Sequence, residues 1–149
     1  MRNIRAVDAA TLCLIDRLRR EHGLRPLRAN RALSVVAASQ AKSMVLGDYF
    51  ADDRPSGRTP MSLVAVTRYR RPTARIAVGE NIAWGTGSDT TPARIVAAWL
   101  ASPPHREVML SAGYRDAGVS VTPAVPAVLH PHGRGATYVI ELGARLPRF

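Results

Sequence analysis

Apolar positions recur first at helical spacing and later at alternating spacing. From Val7 to His22 the residues Val7, Ala10, Leu14 and Leu18 mark one stripe, with Arg17, Arg19, Arg20 and Glu21 on other faces, and Gly23 follows as a left-handed cap. Asn30 is the N-cap of a second helix, in which Leu33, Val36, Ala37, Ala41, Met44 and Val45 space one buried stripe until Gly47 stops it. Gly47 to Gly57 is polar and turn-rich, and it delivers Asp52 to whatever cavity the fold makes. Thr59-Pro60 restarts a helix from Met61 to about Arg68, which Tyr69-Arg70-Arg71-Pro72 breaks. Ile76 to Trp84 has strand-like content before a Gly85-Thr86-Gly87-Ser88 turn. Thr91-Pro92 opens a fourth helix whose Ile95, Val96, Trp99 and Leu100 share one face.

Beyond Gly113 the period changes. Ala117, Val119 and Val121 are apolar at every second position, as later are Tyr138, Ile140 and Leu142, and these stretches predict paired strands. Between them Pro123 to Ala136 is a Pro/Gly/His-rich loop, long enough to be mobile. Helices that precede and flank the strands predict an α+β fold with a sheet covered on its two faces. Residues 1–149 read as one domain, with 1–6 as a flexible N-terminal segment.

Composition narrows the class. A hydrophobic fraction of 46% with 21% charged residues is that of a soluble globular protein, and no apolar run approaches a membrane span. The net charge of +10 comes from arginine, since Lys42 is the only lysine. Arg17, Arg19, Arg20, Arg25, Arg28 and Arg31, and then Arg68, Arg70, Arg71 and Arg75, offer surfaces for nucleic acid or an anionic envelope polymer. Aromatics make up only 5% and no nucleic-acid motif accompanies the arginines, which disfavours nucleic acid and leaves anionic cell-wall polymers. Cys13 is the single cysteine, so no intramolecular disulfide forms; among Leu12, Leu14 and Ile15 it reads as a small buried apolar residue.

Two ionisable groups stand out. Glu80 lies between Gly79 and Asn81 and ahead of apolar Ile82, Ala83 and Trp84, in a segment that looks buried or half-buried, where a charge needs a partner. His105 follows Ser102-Pro103-Pro104, the signature of a helix start with Ser102 as cap. The bland alternative for both is a hydrogen-bonded pair tying strand to helix. Trp84 and Trp99 read as core, His130-Pro131-His132 as solvated loop, and the charge of His22 suits the end of a helix. No G-x-S-x-G elbow exists, so nothing supports a nucleophilic triad.

The strings GENIAWG, from Gly79 to Gly85, and WLASPPHR, from Trp99 to Arg106, resemble signatures of the CAP superfamily, also called SCP-like or pathogenesis-related-1-like, in its short bacterial branch. Glu21 to Leu27 is similar to that family's GLxPL turn, and Gly47 to Thr59 to its GYFxHxSPDGRT segment; the resemblance runs from about Val7 to Gly143. It implies a three-layer αβα sandwich around a central antiparallel sheet, with a cleft lined by two histidines and one or more glutamates. Glu80 and His105 hold two of those positions, whereas Asp52 stands where the other histidine is usual. Pro104 replaces the usual glycine, Val108 an asparagine common there, and Leu142 an aromatic, while Glu141 faces the cleft only if strand register allows.

The resemblance implies export, although the N-terminus lacks the apolar core of a signal peptide, and Met1 then reads as the start left after leader removal. It also implies a non-enzymatic binding domain with a cleft at Asp52, Glu80 and His105 for a small or lipid-like ligand. Those three side chains are candidate ligands for a divalent cation, Zn or Ca, while two carboxylates beside one imidazole equally make a metal-free ion-paired cluster. The alternatives are a metal-assisted hydrolase, peptidase-like, with Glu80 as base, and a basic module adhering to anionic envelope polymers.

Overall fold

Asparagine starts each of the two longest helices in the computed structural model, which describes residues 3–148. The Asn3 side chain accepts from the Ala6 N–H at 3.1 Å and opens α1, Ile4–Glu21; Asn30 does the same for Leu33 and opens α2, Arg31–Gly47. A two-residue strand, β1 (Arg28–Ala29), lies between them. Thr59 and Ser62 form a capping box at α3, Pro60–Ala65, which is shorter than the expected run to Arg68. Then come β2 (Ala74–Thr86), α4 (Pro92–Ala101, capped by Thr91), α5 (Pro103–Met109), β3 (Asp116–Thr122) and β4 (Gly135–Pro147).

The sheet order is β1-β3-β4-β2. Its three long strands are antiparallel, as the period-2 pattern implied, and β1 adds a short parallel rung at the β3 edge, which two residues were too few to announce. Alternation along the strands builds two cores. Ala117, Val119, Val121, Tyr138, Ile140 and Leu142 face Ile15 of α1, Ile95 and Trp99 of α4 and Met109 of α5. Val139 and Ile82 face Ala37, Ala41 and Met44 of α2. The result is the αβα layering, with α2 and α3 on one side and α1, α4 and α5 on the other.

Several expectations change. Helix α1 begins at Ile4, three residues before Val7, so part of the segment expected to be flexible is helical; Met1 and Arg2 lie outside the described residues. Cys13 is exposed rather than buried. Thr11, Ile15 and Arg19 define the inner face of α1, and a residue two positions from both Thr11 and Ile15 is turned about 200° away from it. Arg19, expected on an outer face, is fully buried. Its guanidinium donates to the carbonyls of Arg25, Met109, Ser111 and Tyr114, which replaces its hydration and pins the end of α1 to the segment between α5 and β3. Trp99 is core, its indole N–H donating to the Ile82 carbonyl at 3.0 Å, but Trp84 is 38% exposed because it lies on the edge strand. The loop from Pro123 is tethered: Val128 N–H donates to Asp48 Oδ1 at 2.6 Å and Thr137 Oγ1 to the Ala124 carbonyl at 2.7 Å.

Helix α2 reaches the sheet through a gap that only glycine leaves. Gly118 of β3 lies beneath the first turn of α2, and a methyl there would run into the backbone of Leu33 and Ser34. Those are helix atoms that cannot swing aside. Gly118→Ala is therefore expected to lower stability by about 2 kcal/mol or more, read as a lower urea midpoint at unchanged m value; a wild-type midpoint would show that α2 rides higher than described.

Candidate functional site

The register of β2 against β4 sets Glu80 opposite Glu141, and that of β3 against β4 sets Gly118 on the other flank of Glu141. By pleat alternation both glutamates share the α2 side of the sheet with Ile82 and Val139. The close approach of α2 at Gly118 helps seal this row. All four carboxyl oxygens of the pair are out of solvent, and no N–H or hydroxyl among the described residues donates to any of them. The only proton available to bond the two groups is one that a carboxyl carries itself.

A third carboxyl joins from the turn between α2 and α3. Gln40, buried in α2, donates to the carbonyls of Ala51 and Asp52 at 3.1 Å each and accepts from Arg54 Nε at 3.0 Å, while Arg54 also donates to Ser39. This clamp brings the exposed Asp52 close enough to act on Glu80. Burial first, then the carboxyl of Glu141, then that of Asp52 hold Glu80 far above the usual carboxylate range. Glu141 is also raised, chiefly by burial and further by Asp52; the hydrogen bond from Glu80 and the charge of Arg54 work the other way. The pair thus keeps a proton at neutral pH, with Glu80 donating to Glu141.

His105 is positioned differently. It lies in the first turn of α5, half-buried, with Nδ1 at 2.9 Å from Ser102 Oγ. Ser102 does open the helix, but its hydroxyl meets this imidazole rather than capping a backbone N–H. The β2 side chain that reaches His105 is Asn81, on the opposite pleat from Glu80, donating from Nδ2 to the His105 carbonyl at 2.9 Å. The groups acting on the Glu80 carboxyl are Glu141 and Asp52, and His105 is not among them. Asp52 and Glu80 are therefore brought together, and the His105 ring is engaged within its own helix.

Sequence reasoning passed over Gln40, which reads as one polar residue in a helical stripe, and left Glu141 open, since register is not visible in one strand. In chemical terms the set is acidic, oxygen-rich and desolvated. Oxygen donors suit a hard cation such as Ca better than Zn, for which the one imidazole is already engaged. Among the described residues no group of three or more His, Cys, Asp or Glu is arranged to hold a metal ion. Nor does either Glu80 oxygen meet water in this conformation, so a base role for Glu80 has nothing to act on here. His130 and His132 are exposed, and the Nε2 of His22 accepts from Arg106 at 3.3 Å while its Nδ1 meets the Leu18 carbonyl.

The carboxyl pair makes stability depend on pH. An unfolded glutamate titrates near 4.5, whereas both groups are raised in the fold, so the folded chain binds more protons above that pH. Their contribution is fully present below about pH 4.5 and is lost as pH rises through the folded values. Glu80→Gln supplies an uncharged donor in the same volume. It is expected to raise Tm at pH 8 by roughly 3 °C or more and to flatten the fall between pH 5 and 8. A shallower slope remains from Glu141, still raised by burial, and from Asp8, which burial pushes to about 6 against an opposing hydrogen bond from the Val121 backbone. An unchanged Tm against pH profile in the variant would mean that the pair is not desolvated.

Comparison with known proteins gives a consistent result. Residues 12–126 match the CAP, cysteine-rich secretory protein, family, a stretch that includes Asp52, Glu80 and His105 but stops short of Glu141. The chain is 29% identical over 117 residues to the uncharacterised protein YkwD of Bacillus subtilis (strain 168), covering 78% of this chain and 43% of that one. Among solved structures, an outer surface protein from Borrelia burgdorferi superposes with a TM-score of 0.73 at 21% identity, over 92% of this chain and 91% of the other. An extracellular protein containing an SCP domain from Bacillus anthracis gives 0.71 at 20% identity, over 97% of this chain and 41% of that one. A cysteine-rich secretory protein from Staphylococcus aureus gives 0.66 at 16%, over 94% and 38%. This chain thus spans under half the length of YkwD and of the last two proteins.

Proposed function

Because this chain belongs to the CAP, cysteine-rich secretory protein, family, we propose that it is an exported, non-enzymatic binding domain. Its Asp52, Glu80 and His105 end, extended by Glu141, receives a small or lipid-like ligand. The observation that carries the reading is the set of buried carboxyl oxygens to which no N–H or hydroxyl among the described residues donates, so that the proton Glu80 shares with Glu141 is their one internal relief. Each such group costs about 1–3 kcal/mol, and a fold that keeps several together departs from good packing at the point where a partner would relieve it. A ligand that presents hydroxyl or amine donors, or a divalent cation, would satisfy those oxygens once the Asp52 turn moves aside. The turn is suited to this, since Asp52 is exposed and the turn is tied to α2 by a few side-chain hydrogen bonds, from Gln40 to the Ala51 and Asp52 carbonyls and from Arg54 to Gln40 and Ser39.

Export rests on the company the domain keeps. The Bacillus anthracis protein of the same fold is described as extracellular and the Borrelia burgdorferi protein as an outer surface protein. No helix among the described residues is long and apolar enough to cross a membrane.

Native mass spectrometry of the purified chain, with calorimetry against Ca and Zn, tests the reading. A bound species or a metal heat in wild type that is lost in Glu80→Gln/Glu141→Gln is expected. Absence of both from wild type, between pH 5 and 8, would remove the binding role while leaving the fold assignment intact.

A further inference from the structure

Strand β2 is an edge of the sheet, with β4 as its sheet neighbour. Its hydrogen-bond phase can be read at two points. The Gly87 N–H donates to the Arg134 carbonyl at 3.0 Å, one step beyond the pairing of Thr86 with Gly135, and the Ile82 carbonyl accepts from Trp99 Nε1 of α4 at 3.0 Å. Odd positions at this end of β2 therefore turn their backbone groups to β4, and Ile82 and Trp84 turn theirs outward to the edge. Trp99 takes up the carbonyl of Ile82. The next outward position, Trp84, is 38% exposed.

Past Trp84 the chain folds back on itself. A Cβ at Gly85 would meet the Asp89 carbonyl, so glycine lets the 3-10 turn Gly87–Thr90 close over the strand end and set Asp89 beside it. Thr91 then caps α4 by accepting from the Arg94 N–H at 3.3 Å, which fixes Arg94 in the first turn of that helix. Between strand edge, turn and helix lies a groove of about 400 Å³ lined by Trp84, Asp89, Arg94, Ile95, Ala97 and Ala98. The two alanines are too short to fill it. The groove is four residues along β2 from Glu80, roughly 13 Å at strand spacing, and at the edge of the sheet rather than under α2, so it is a second place for a ligand.

We propose that this groove binds a neutral pyranose, one ring of a β-linked oligosaccharide. Its side chains ask for three different things at once. The face of an indole is electron-rich and takes aliphatic C–H groups, a carboxylate such as Asp89 accepts hydrogen bonds, and a guanidinium such as Arg94 donates them. A pyranose with equatorial hydroxyls meets all three: axial hydrogens cover its flat faces, and each rim hydroxyl both donates and accepts, so that neighbouring hydroxyls bridge Asp89 and Arg94. The outward N–H and carbonyl of Trp84 extend the same pattern. An extended peptide fits less well, because strand addition uses successive outward positions and the carbonyl of Ile82 is already taken by Trp99. Opposite charges on Asp89 and Arg94 leave the groove without a single sign, which disfavours a polyanion.

The test is titration calorimetry of the full chain with cellotetraose and with chitotetraose. Saturable binding of at least one is expected in wild type, weakened about tenfold in Trp84→Ala and about threefold or more in Asp89→Asn and in Arg94→Gln. Val66→Ala, which trims an exposed side chain elsewhere, is expected to bind as wild type does. Tryptophan emission should shift to the blue on binding in wild type and stay unmoved in Trp84→Ala, which keeps Trp99 as its indole. Should Trp84→Ala fail to fold, Asp89→Asn/Arg94→Gln carries the same comparison. No saturable binding of either sugar, or equal affinity in wild type and Trp84→Ala, would overturn the proposal. So would tighter binding of adenosine, which assigns a planar base, or of an uncharged tripeptide, which assigns a peptide. Loss of sugar binding in Glu80→Gln/Glu141→Gln with retention in Trp84→Ala would overturn it too, by moving the sugar to the carboxyl site.

Discussion

The antiparallel pairing of β2 with β4, continuous from Ala74 opposite Pro147 to Thr86 opposite Gly135, is the constraint from which most of the molecule follows. One choice of register decides which side chains enter which layer, because a slip of one residue would exchange the two faces. In the register adopted, Ile82 and Val139 meet α2, Asn81 reaches α5, and two glutamates are set against each other in a dry row. The same pairing places Arg145 of β4, whose Nε donates to the Tyr69 carbonyl. The carboxyl row is thus set by a single ladder of hydrogen bonds.

That ladder explains why the acidic set persists at an energetic disadvantage. A buried carboxyl pair is poorly relieved by local movement here, because Glu141 sits in the strand flanked by β2 and β3 and Glu80 is held opposite it by the β2–β4 register. The freedom left to the site is in the protonation state and in the Asp52 turn, which is held to α2 by side-chain hydrogen bonds of Gln40 and Arg54. Asp52 adds a third acid beside the pair and so raises the cost of ionising it. Family membership supplies the fold and the neighbourhood; the chemistry of this version of the site is its own.

Much of the architecture is legible in the chain because it is local. Asn30, Thr59-Pro60 and Thr91-Pro92 begin helices through side chains that bond within three residues, α2 runs to the expected Gly47 although the left-handed residue that ends it is Asp48, and period-2 alternation marks β3 and β4. What escapes the reading is non-local. Glu141 becomes notable only through register. Gln40 matters because of a turn eleven residues away, and Cys13 is exposed although its sequence neighbours are apolar, since helical phase and not adjacency sets burial. Trp84 is half out of the core because β2 is an edge, which no window of sequence reports. Asp52 and Glu80 were legible as partners through motif; the separate engagement of the His105 ring with Ser102 was not.

Arg19 shows the same division in time as well as in space. It is synthesised 90 residues or more before three of the carbonyls that satisfy it, those of Met109, Ser111 and Tyr114. Until those residues emerge, α1 carries a guanidinium with no place to be sheltered, and closing so large a loop is slow relative to forming the helix itself. Helix α1 is therefore made well before the residues that lock it, and it docks fully only once the segment from Met109 to Tyr114 has emerged.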